Sequence, residues 1–265
     1  MNTFYVDAPF QSSFSISTNC DRIKNIMYLQ YGSYVTQLPC LVDFSFSIFF
    51  DGNMYMLTTP KDSHYTKNPV YEMECYLFEN KSYSSEFLAL HGAAVEWKNK
   101  AYLFLAPSLA GKTTLACHLV NQGFGYITED CILLRKSDLH VLPYTTPIQL
   151  RQGSLKVLTQ HKSCPEDLKI LEDPSGKKRY VFFPNNCINK PLPLSTIYFI
   201  QRTEGEDCHI KLKAGEGMLA LIHSSITNYE FSTDYLRTLS QLAQDNCFRL
   251  CYASMDYVKN LICNK

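Results

Sequence analysis

Residues 101–116 read AYLFLAPSLAGKTTLA and combine three patterns in one stretch of chain. An apolar run leads into a short loop that ends in Gly111, Lys112 and Thr113, and residues with helical spacing follow. This order predicts a strand, a tight loop and a helix whose first backbone N–H groups point at an anion. The loop matches the pattern G-x-x-x-x-G-K-[ST] except at Ala106, which stands where the first glycine belongs.

A loop of this kind predicts a nucleoside triphosphate site. Lys112 would neutralise the β and γ phosphate oxygens, and the Thr113 hydroxyl would reach Mg²⁺. Leu109 occupies a loop position that glycine would fill more easily, so a tighter or differently shaped cradle is expected. The alternative is a chance match in a protein that binds no nucleotide, and the flanking strand and helix argue against it. The predicted phosphate-binding residues are Ser108, Leu109, Ala110, Gly111, Lys112, Thr113 and Thr114.

Length and composition narrow the class of protein. The 265 residues suit one large domain or two small ones, and 25 basic residues balance 25 acidic ones. This balance favours neither nucleic acid nor an anionic membrane as a partner. The eleven cysteines contain no C-x-x-C pair, and Cys247 and Cys251 lack partners at zinc-ligand spacing. Without a signal peptide or a long apolar window, the sequence predicts a soluble cytoplasmic protein.

The chain divides into two regions of different composition. Residues 1–86 are rich in Phe, Tyr, Ser and Thr, and two alternating runs at 41–50 and 54–58 flank Asp51-Gly52-Asn53. Asp-Gly between such runs predicts a hairpin, so this region is expected to be β-rich, with its aromatic residues in a core rather than on a ligand platform.

Residues 87–265 mix strands and helices, which predicts an α/β domain on a covered sheet. The predicted strands are 95–97, 102–105, 126–134, 147–151, 194–201 and 248–252, and the predicted helices are 111–122, 215–227, 232–243 and 255–263.

An acidic pair, Glu129 and Asp130, interrupts the apolar strand 126–134. Phosphoryl transfer requires a phosphate cradle, a divalent metal and a group that positions or deprotonates the acceptor. A sheet that sets this strand beside the strand of the loop would bring the pair to the phosphates. Extended backbone points the two side chains in opposite directions, so one of them is expected to face the nucleotide. Asp130 is the first candidate for the general base, and with Thr113 it is the candidate for the metal site. Glu129 is the second candidate for the base. The alternative is that one of the two carboxylates caps a turn on the surface.

These elements together resemble the HPr kinase/phosphorylase family. In that family the order is His-Gly, Walker A loop and Asp-Asp. This chain follows the same order with His91-Gly92, a strand pair, the loop, a helix ending before Gly123 and the strand with the acidic pair. The resemblance covers roughly residues 85–151 and extends loosely beyond. It implies a compact P-loop kinase domain, His91 beside the catalytic carboxylates, and assembly into homo-oligomers. A His-Gly step also suits an ordinary bend, so a core histidine is the alternative for His91.

The chain departs from the family pattern at several positions. Its acidic pair is Glu-Asp rather than Asp-Asp, and Gln149 stands where the family's later Glu-Ile-Arg element has its glutamate. An amide coordinates Mg²⁺ more weakly than a carboxylate. Arg151 is retained and is expected either to stabilise phosphoryl oxygens or to be an exposed charge at a strand end. Because the long features that bind the phosphocarrier are not recognisable, the acceptor is expected to differ from HPr.

The sequence therefore predicts a kinase that transfers the γ-phosphoryl group of ATP, or of another nucleoside triphosphate, with Mg²⁺. The resemblance to the broader HPr-kinase-like set implies a Ser-type hydroxyl of a peptide or small molecule as acceptor, including peptides undergoing maturation. The N-terminal region suits acceptor recognition. The segment 173–180, a turn followed by three cations, would clamp a phosphate or acidic acceptor or be a solvated loop. The predicted catalytic residues are Asp130, Glu129, His91 and Arg151.

Two other classes of function remain. A nucleotide-binding partner or regulator of a biosynthetic enzyme, without transfer activity, is favoured by the weakened positions Ala106, Leu109 and Gln149. An NTPase that drives a motion is disfavoured because no separate Walker B strand of four apolar residues ends in aspartate.

Overall fold

A computed structural model describes residues 2–8, 12–32, 34–36, 40–82, 86–172, 176–226 and 232–264. The protein is mixed α/β and divides into two compact units. The first unit comprises Met1–Leu77 and Leu168–Val181, and the second comprises Phe78–Asp167 and Phe182–Lys265. Among the described residues, no helix is both long and apolar enough to cross a membrane.

Strands and helices intermix along both units. The strands are β1 (Asn2–Ala8), β2 (Ser12–Thr18), β3 (Val35–Thr36), β4 (Phe44–Phe50), β5 (Tyr55–Thr58), β6 (Ser63–Thr66), β7 (Phe87–Trp97), β8 (Lys100–Leu105), β9 (Gly125–Thr128), β10 (Cys131–Arg135), β11 (His140–Leu142), β12 (Ile148–Leu150), β13 (Lys169–Glu172), β14 (Lys178–Phe182), β15 (Leu192–Arg202), β16 (Cys208–Lys211) and β17 (Cys247–Tyr252). The helices are α1 (Asp21–Tyr31), α2 (Pro69–Ser82), α3 (Lys112–Asn121), α4 (Gln152–Gln160), α5 (Ala214–Ser224), α6 (Thr233–Asp245) and α7 (Met255–Cys263).

A six-stranded sheet forms the first unit, with the strand order β3-β1-β2-β4-β5-β6. β2 and β4 pair in parallel, and α1 provides the crossover between them that a parallel pair requires. Alternate residues of the two strands point to one face, so Phe14 and Ile16 are buried together with Phe46 and Ile48. This unit therefore has an apolar core of its own.

The second unit contains the sheet that carries the loop. Its strand order is β11-β10-β7-β8-β15-β17-β16, and β9 also pairs with β7. β8, β15 and β17 are parallel neighbours, whereas β7 runs antiparallel to β8. The buried cluster of this unit includes Leu103 and Leu105 of β8, Ile197 of β15 and Leu239 of α6. The strand that precedes the predicted phosphate loop is thus central in the sheet and buried from Ala101 to Leu105.

Most of the predicted elements of residues 87–265 are confirmed. The helices at 111–122, 232–243 and 255–263 correspond to α3, α6 and α7 within two residues at each end. The helix predicted at 215–227 ends at Ser224, and residue 227 lies outside the described residues. The strand predicted at 126–134 is divided into β9 and β10 at the acidic pair. The short helix α4 and the strands β11, β13, β14 and β16 were not predicted.

In the first region, the hairpin prediction is confirmed and the helices were missed. β4 and β5 pair antiparallel, and the Asp51 carboxylate accepts hydrogen bonds from the backbone N–H groups of Asn53 and Met54, both at 2.8 Å. α1 and α2 were not predicted, because the composition of the region as a whole, rich in aromatic and hydroxyl side chains, favoured strands. The sequence of α1 nevertheless has helical spacing, with Ile23 and Met27 buried one turn apart.

The two units do not coincide with the predicted regions 1–86 and 87–265. The structure divides the chain after Leu77 and adds Leu168–Val181 to the first unit. This added segment contains the antiparallel β13–β14 pair, and its Glu172 lies 3.3 Å from Arg22 in an ion pair. The composition of this segment does not show that it belongs to the first unit, because that membership depends on contacts with residues far away in the sequence. Of the cationic segment 173–180, residues 173–175 lie outside the described residues.

Candidate functional site

The predicted phosphate loop connects the end of β8 to the start of α3. Gly111 is the N-cap of α3 and has φ 96°, a left-handed conformation that glycine adopts at little cost. No side chain caps this helix, and its first internal hydrogen bond runs from Leu115 N–H to the Gly111 carbonyl, 2.9 Å away. The N–H groups of the first turn are therefore available to an anion.

Lys112, the first residue of α3, folds back over the loop. Its Nζ donates to the carbonyl oxygens of Ala106 at 2.8 Å and Pro107 at 3.2 Å, and the residue is only 6% exposed. Burial lowers the pKa of Lys112, while the carboxylates of Asp130 and Glu129 oppose this shift. A buried ammonium beside free helix N–H groups concentrates positive charge at the loop.

The rest of the loop is exposed and partly strained. Leu109 is 78% exposed and has φ 71°, which is unusual for a bulky side chain. Ser108 is exposed, and Ala110 N–H donates to the Pro107 carbonyl at 3.3 Å. Thr114 points to α4, where its hydroxyl donates to Ser154 Oγ at 2.9 Å. Ser108, Leu109 and Ala110 thus form the outer turn of the loop, and Thr114 links α3 to α4.

Glu129 meets the phosphate loop through Thr113. The Thr113 hydroxyl donates to Glu129 Oε1 at 2.6 Å, and the backbone N–H of Gln149 donates to Oε2 at 3.1 Å. Burial and the nearby Asp130 charge raise the pKa of Glu129 well above its usual value, and the two hydrogen bonds and Lys112 oppose this. Gln149 thus enters the site through its backbone and not, as the sequence suggested, through its side-chain amide.

The acidic pair lies in the gap between β9 and β10. Both strands pair with β7, so β7 separates the pair from β8, whereas the sequence interpretation set the acidic strand beside β8. Asp130 has φ 64° and is exposed. The kink lets Glu129 reach Thr113 across one intervening strand and turns Asp130 toward solvent.

His91 lies beside this kink. Its Nδ1 donates to the Asp130 carbonyl at 3.0 Å, and the N–H of Gly92 donates to the same oxygen at 3.4 Å. Burial and the Lys112 charge lower the pKa of His91, while the Asp130 charge opposes them. His91 is thus a partner of the acidic pair through the Asp130 backbone.

Of the predicted residues, the structure groups Lys112, Thr113, Glu129, Asp130 and His91. Arg151 is exposed at the N-cap of α4, two residues beyond Gln149. The sequence did not identify Tyr252 as a site residue, but in the structure its hydroxyl lies near Gly111. The available signal was its position at the end of a strand, since parallel strands bring their carboxyl ends to one edge.

The oxygen atoms at this site suit a hard cation better than a transition metal. In the part of the chain that the structure describes, no three His, Cys, Asp or Glu side chains cluster to hold a metal ion. Mg²⁺ at a nucleotide site is usually held by one or two carboxylates together with substrate phosphates. The Thr113 hydroxyl and the Glu129 carboxylate fit that requirement.

Comparisons with known proteins add little. No family model matches the chain, and no curated protein matches it. A solved structure of the Hpr(Ser) kinase/phosphatase from Coxiella burnetii matches with a TM-score of 0.33 and 9% sequence identity, over 66% of this chain and 94% of that chain. This similarity is weak, and the assignment of function depends on the site itself.

Proposed function

We propose that the protein is a Mg²⁺-dependent kinase with an HPr-kinase-like P-loop domain. It transfers the γ-phosphoryl group of ATP to a hydroxyl of a peptide or small molecule. The observation that carries this proposal is the hydrogen bond of 2.6 Å between the Thr113 hydroxyl and the buried Glu129 carboxylate. Thr113 directly follows the buried Lys112 in the chain. A carboxylate, a hydroxyl and an ammonium at the N-terminus of a helix are the groups that phosphoryl transfer uses.

The binding role falls to the loop and the start of α3. The N–H groups of Gly111, Lys112 and Thr113 are oriented by the helix, and they bind phosphate oxygens. The Lys112 ammonium, which donates to two loop carbonyls, exchanges them for phosphate oxygens because a charged acceptor forms the stronger hydrogen bond.

The metal role is assigned to Thr113 and Glu129. The sequence favoured Asp130 beside Thr113, but the Glu129 carboxylate is the one hydrogen-bonded to the Thr113 hydroxyl. Thr113 and Glu129 would hold Mg²⁺, which would supply positive charge to stabilise the transferring phosphoryl group. Because burial raises the pKa of Glu129, a proton would compete with the cation for this carboxyl.

The general-base role is assigned to Asp130. Its carboxylate is exposed, so an acceptor can approach it, and its charge acts on Lys112 and His91. Asp130 takes the proton of the attacking hydroxyl as the new P–O bond forms and the bond to ADP breaks. His91 holds the Asp130 backbone in its left-handed conformation by donating to its carbonyl. Arg151 is a further candidate for contact with phosphoryl oxygens.

A second candidate function is a nucleotide-binding partner protein without transfer activity. It is favoured by the Lys112 hydrogen bonds to the loop carbonyls, which fill the cradle with the protein's own groups. Ala106 and Leu109 also differ from the glycines that such loops prefer.

Two measurements separate these functions. Calorimetric titration with ATP and Mg²⁺ should detect binding to the wild type and a large loss in Lys112→Ala. Incubation with γ-labelled ATP and Ser-containing peptides or small alcohols should transfer label, and Asp130→Asn should slow transfer about 10²–10⁴-fold with binding retained. Binding without label transfer supports the partner protein, and unchanged ATP affinity in Lys112→Ala contradicts both functions.

A further inference from the structure

Three parallel strands end at the edge of the sheet where the phosphate loop begins. β8, β15 and β17 are adjacent, with Phe199 opposite Leu105 and Arg202 opposite Tyr252. In α/β folds the carboxyl ends of parallel strands form the edge at which ligands bind. Tyr252 is the last residue of β17, so it reaches the same edge as the loop although 140 residues separate it from Lys112 in the sequence.

The hydroxyl of Tyr252 lies against the first turn of α3. A Cβ placed on Gly111 would be 3.6 Å from Tyr252 Oη, and apart from the residues next to Gly111 in the chain no other described atom would lie within 4 Å. The space beside Gly111 is thus open except on the side of this hydroxyl. Tyr252 is only 2% exposed, so its ring is held by packing and its Oη has a defined position.

The chemistry of this hydroxyl matches that of its surroundings. Burial raises the pKa of Tyr252 to about 12, and the Arg202 charge opposes this shift. The phenol therefore keeps its proton at neutral pH and can donate a hydrogen bond. The N–H groups of the first turn of α3 and the Lys112 ammonium are also donors. A phosphate group has several oxygen atoms and can accept hydrogen bonds from more than one of these donors, with the Lys112 ammonium exchanging its loop carbonyls for phosphate oxygens.

We propose that the Tyr252 hydroxyl donates a hydrogen bond to a phosphate oxygen of the nucleotide bound at Gly111–Thr113. The inference rests on the proposed function, because it requires a nucleotide in the loop. It adds a binding residue from the C-terminal part of the chain, contributed by a strand two positions from β8 in the sheet. The part of the sequence around Tyr252 carries no phosphate-binding motif, so only the strand order assigns this role.

Calorimetric titration of the full chain with ADP and Mg²⁺ tests the inference. Tyr252→Phe removes only the hydroxyl and should weaken ADP binding about tenfold, because the lost hydrogen bond is to a charged acceptor. Tyr102→Phe is the matched control, since Tyr102 is also 2% exposed and lies near the beginning of β8, away from the loop. It should bind ADP as the wild type does. Lys112→Ala reports on the nucleotide site itself.

The outcomes are distinguishable. If Lys112→Ala loses ADP while Tyr252→Phe binds it like the wild type, the inference is overturned and the proposed nucleotide site stands. If the wild type does not bind ADP, both are overturned. Equal losses in the two Tyr→Phe variants indicate packing damage and also overturn the inference. As a measurement without a variant, ¹⁹F NMR of fluorotyrosine at position 252 should show a shift with ADP and none with adenosine, and the absence of a shift with ADP refutes the contact.

Discussion

Gly92 is a position where one added methyl group should damage the strand that leads to the loop. It is buried in β7 opposite Leu105 of β8. A Cβ on Gly92 would clash with the side-chain end of Leu105 and would lie 2.8 Å from both Ile132 Cδ1 and the Phe104 carbonyl oxygen. The two side chains can rotate away, but the carbonyl belongs to the backbone of β8. Gly92→Ala must therefore displace the strand itself.

The cost follows from that geometry. Overpacking a core by a methyl group costs about 1–3 kcal/mol, and a backbone obstacle puts Gly92→Ala near 3 kcal/mol. Since 1 kcal/mol shifts the melting temperature of a protein of roughly this size by about 2–4 °C, the expected decrease is about 6–12 °C. Thermal unfolding followed by circular dichroism measures it.

Gly215→Ala is the matched control for this substitution. Gly215 lies in α5, and a Cβ there meets nothing within 4 Å. Alanine in a helix is favoured over glycine by about 1 kcal/mol, so this variant should melt at or slightly above the wild-type temperature. If Gly92→Ala melts together with Gly215→Ala, the reasoning about space beside β8 is wrong.

Two further predictions concern the site. Leu109→Gly removes an exposed side chain from a left-handed backbone conformation. The free energy of unfolding, measured by urea titration, should therefore rise by up to about 1 kcal/mol. A decrease of that size would contradict backbone strain at Leu109. Glu129→Gln removes a buried carboxyl whose pKa is raised in the folded state. The folded wild type therefore binds the proton of this carboxyl more tightly than the unfolded chain does. Its free energy of unfolding decreases as the pH rises from about 4.5, the pKa of an ordinary glutamate. The melting temperature of Glu129→Gln relative to the wild type should therefore increase with pH over that range. If the two proteins show parallel curves of melting temperature against pH, the raised pKa of Glu129 is refuted.

Elements with a local signal were predictable from the sequence. The loop between β8 and α3 was recognisable because an apolar run, Gly111 and a helical pattern follow one another directly. The hairpin at Gly52 was recognisable because its turn chemistry lies within four residues. The helical spacing of α1 was also a local signal, but the strand-like composition around it obscured that signal. The assignment of Leu168–Val181 to the first unit depends instead on contacts far apart in the chain.

The sequence by itself determined that a strand, a turn ending in Gly111 and a helix occur in that order, and that an acidic pair follows. Only the tertiary structure decided that Glu129 rather than Asp130 meets Thr113, that Gln149 contributes its backbone N–H, and that Tyr252 reaches Gly111. The reason is physical. Turn and helix propensities act over a few residues. These contacts depend instead on strand order and register, and on the left-handed backbone at Asp130 that interrupts the strand between β9 and β10.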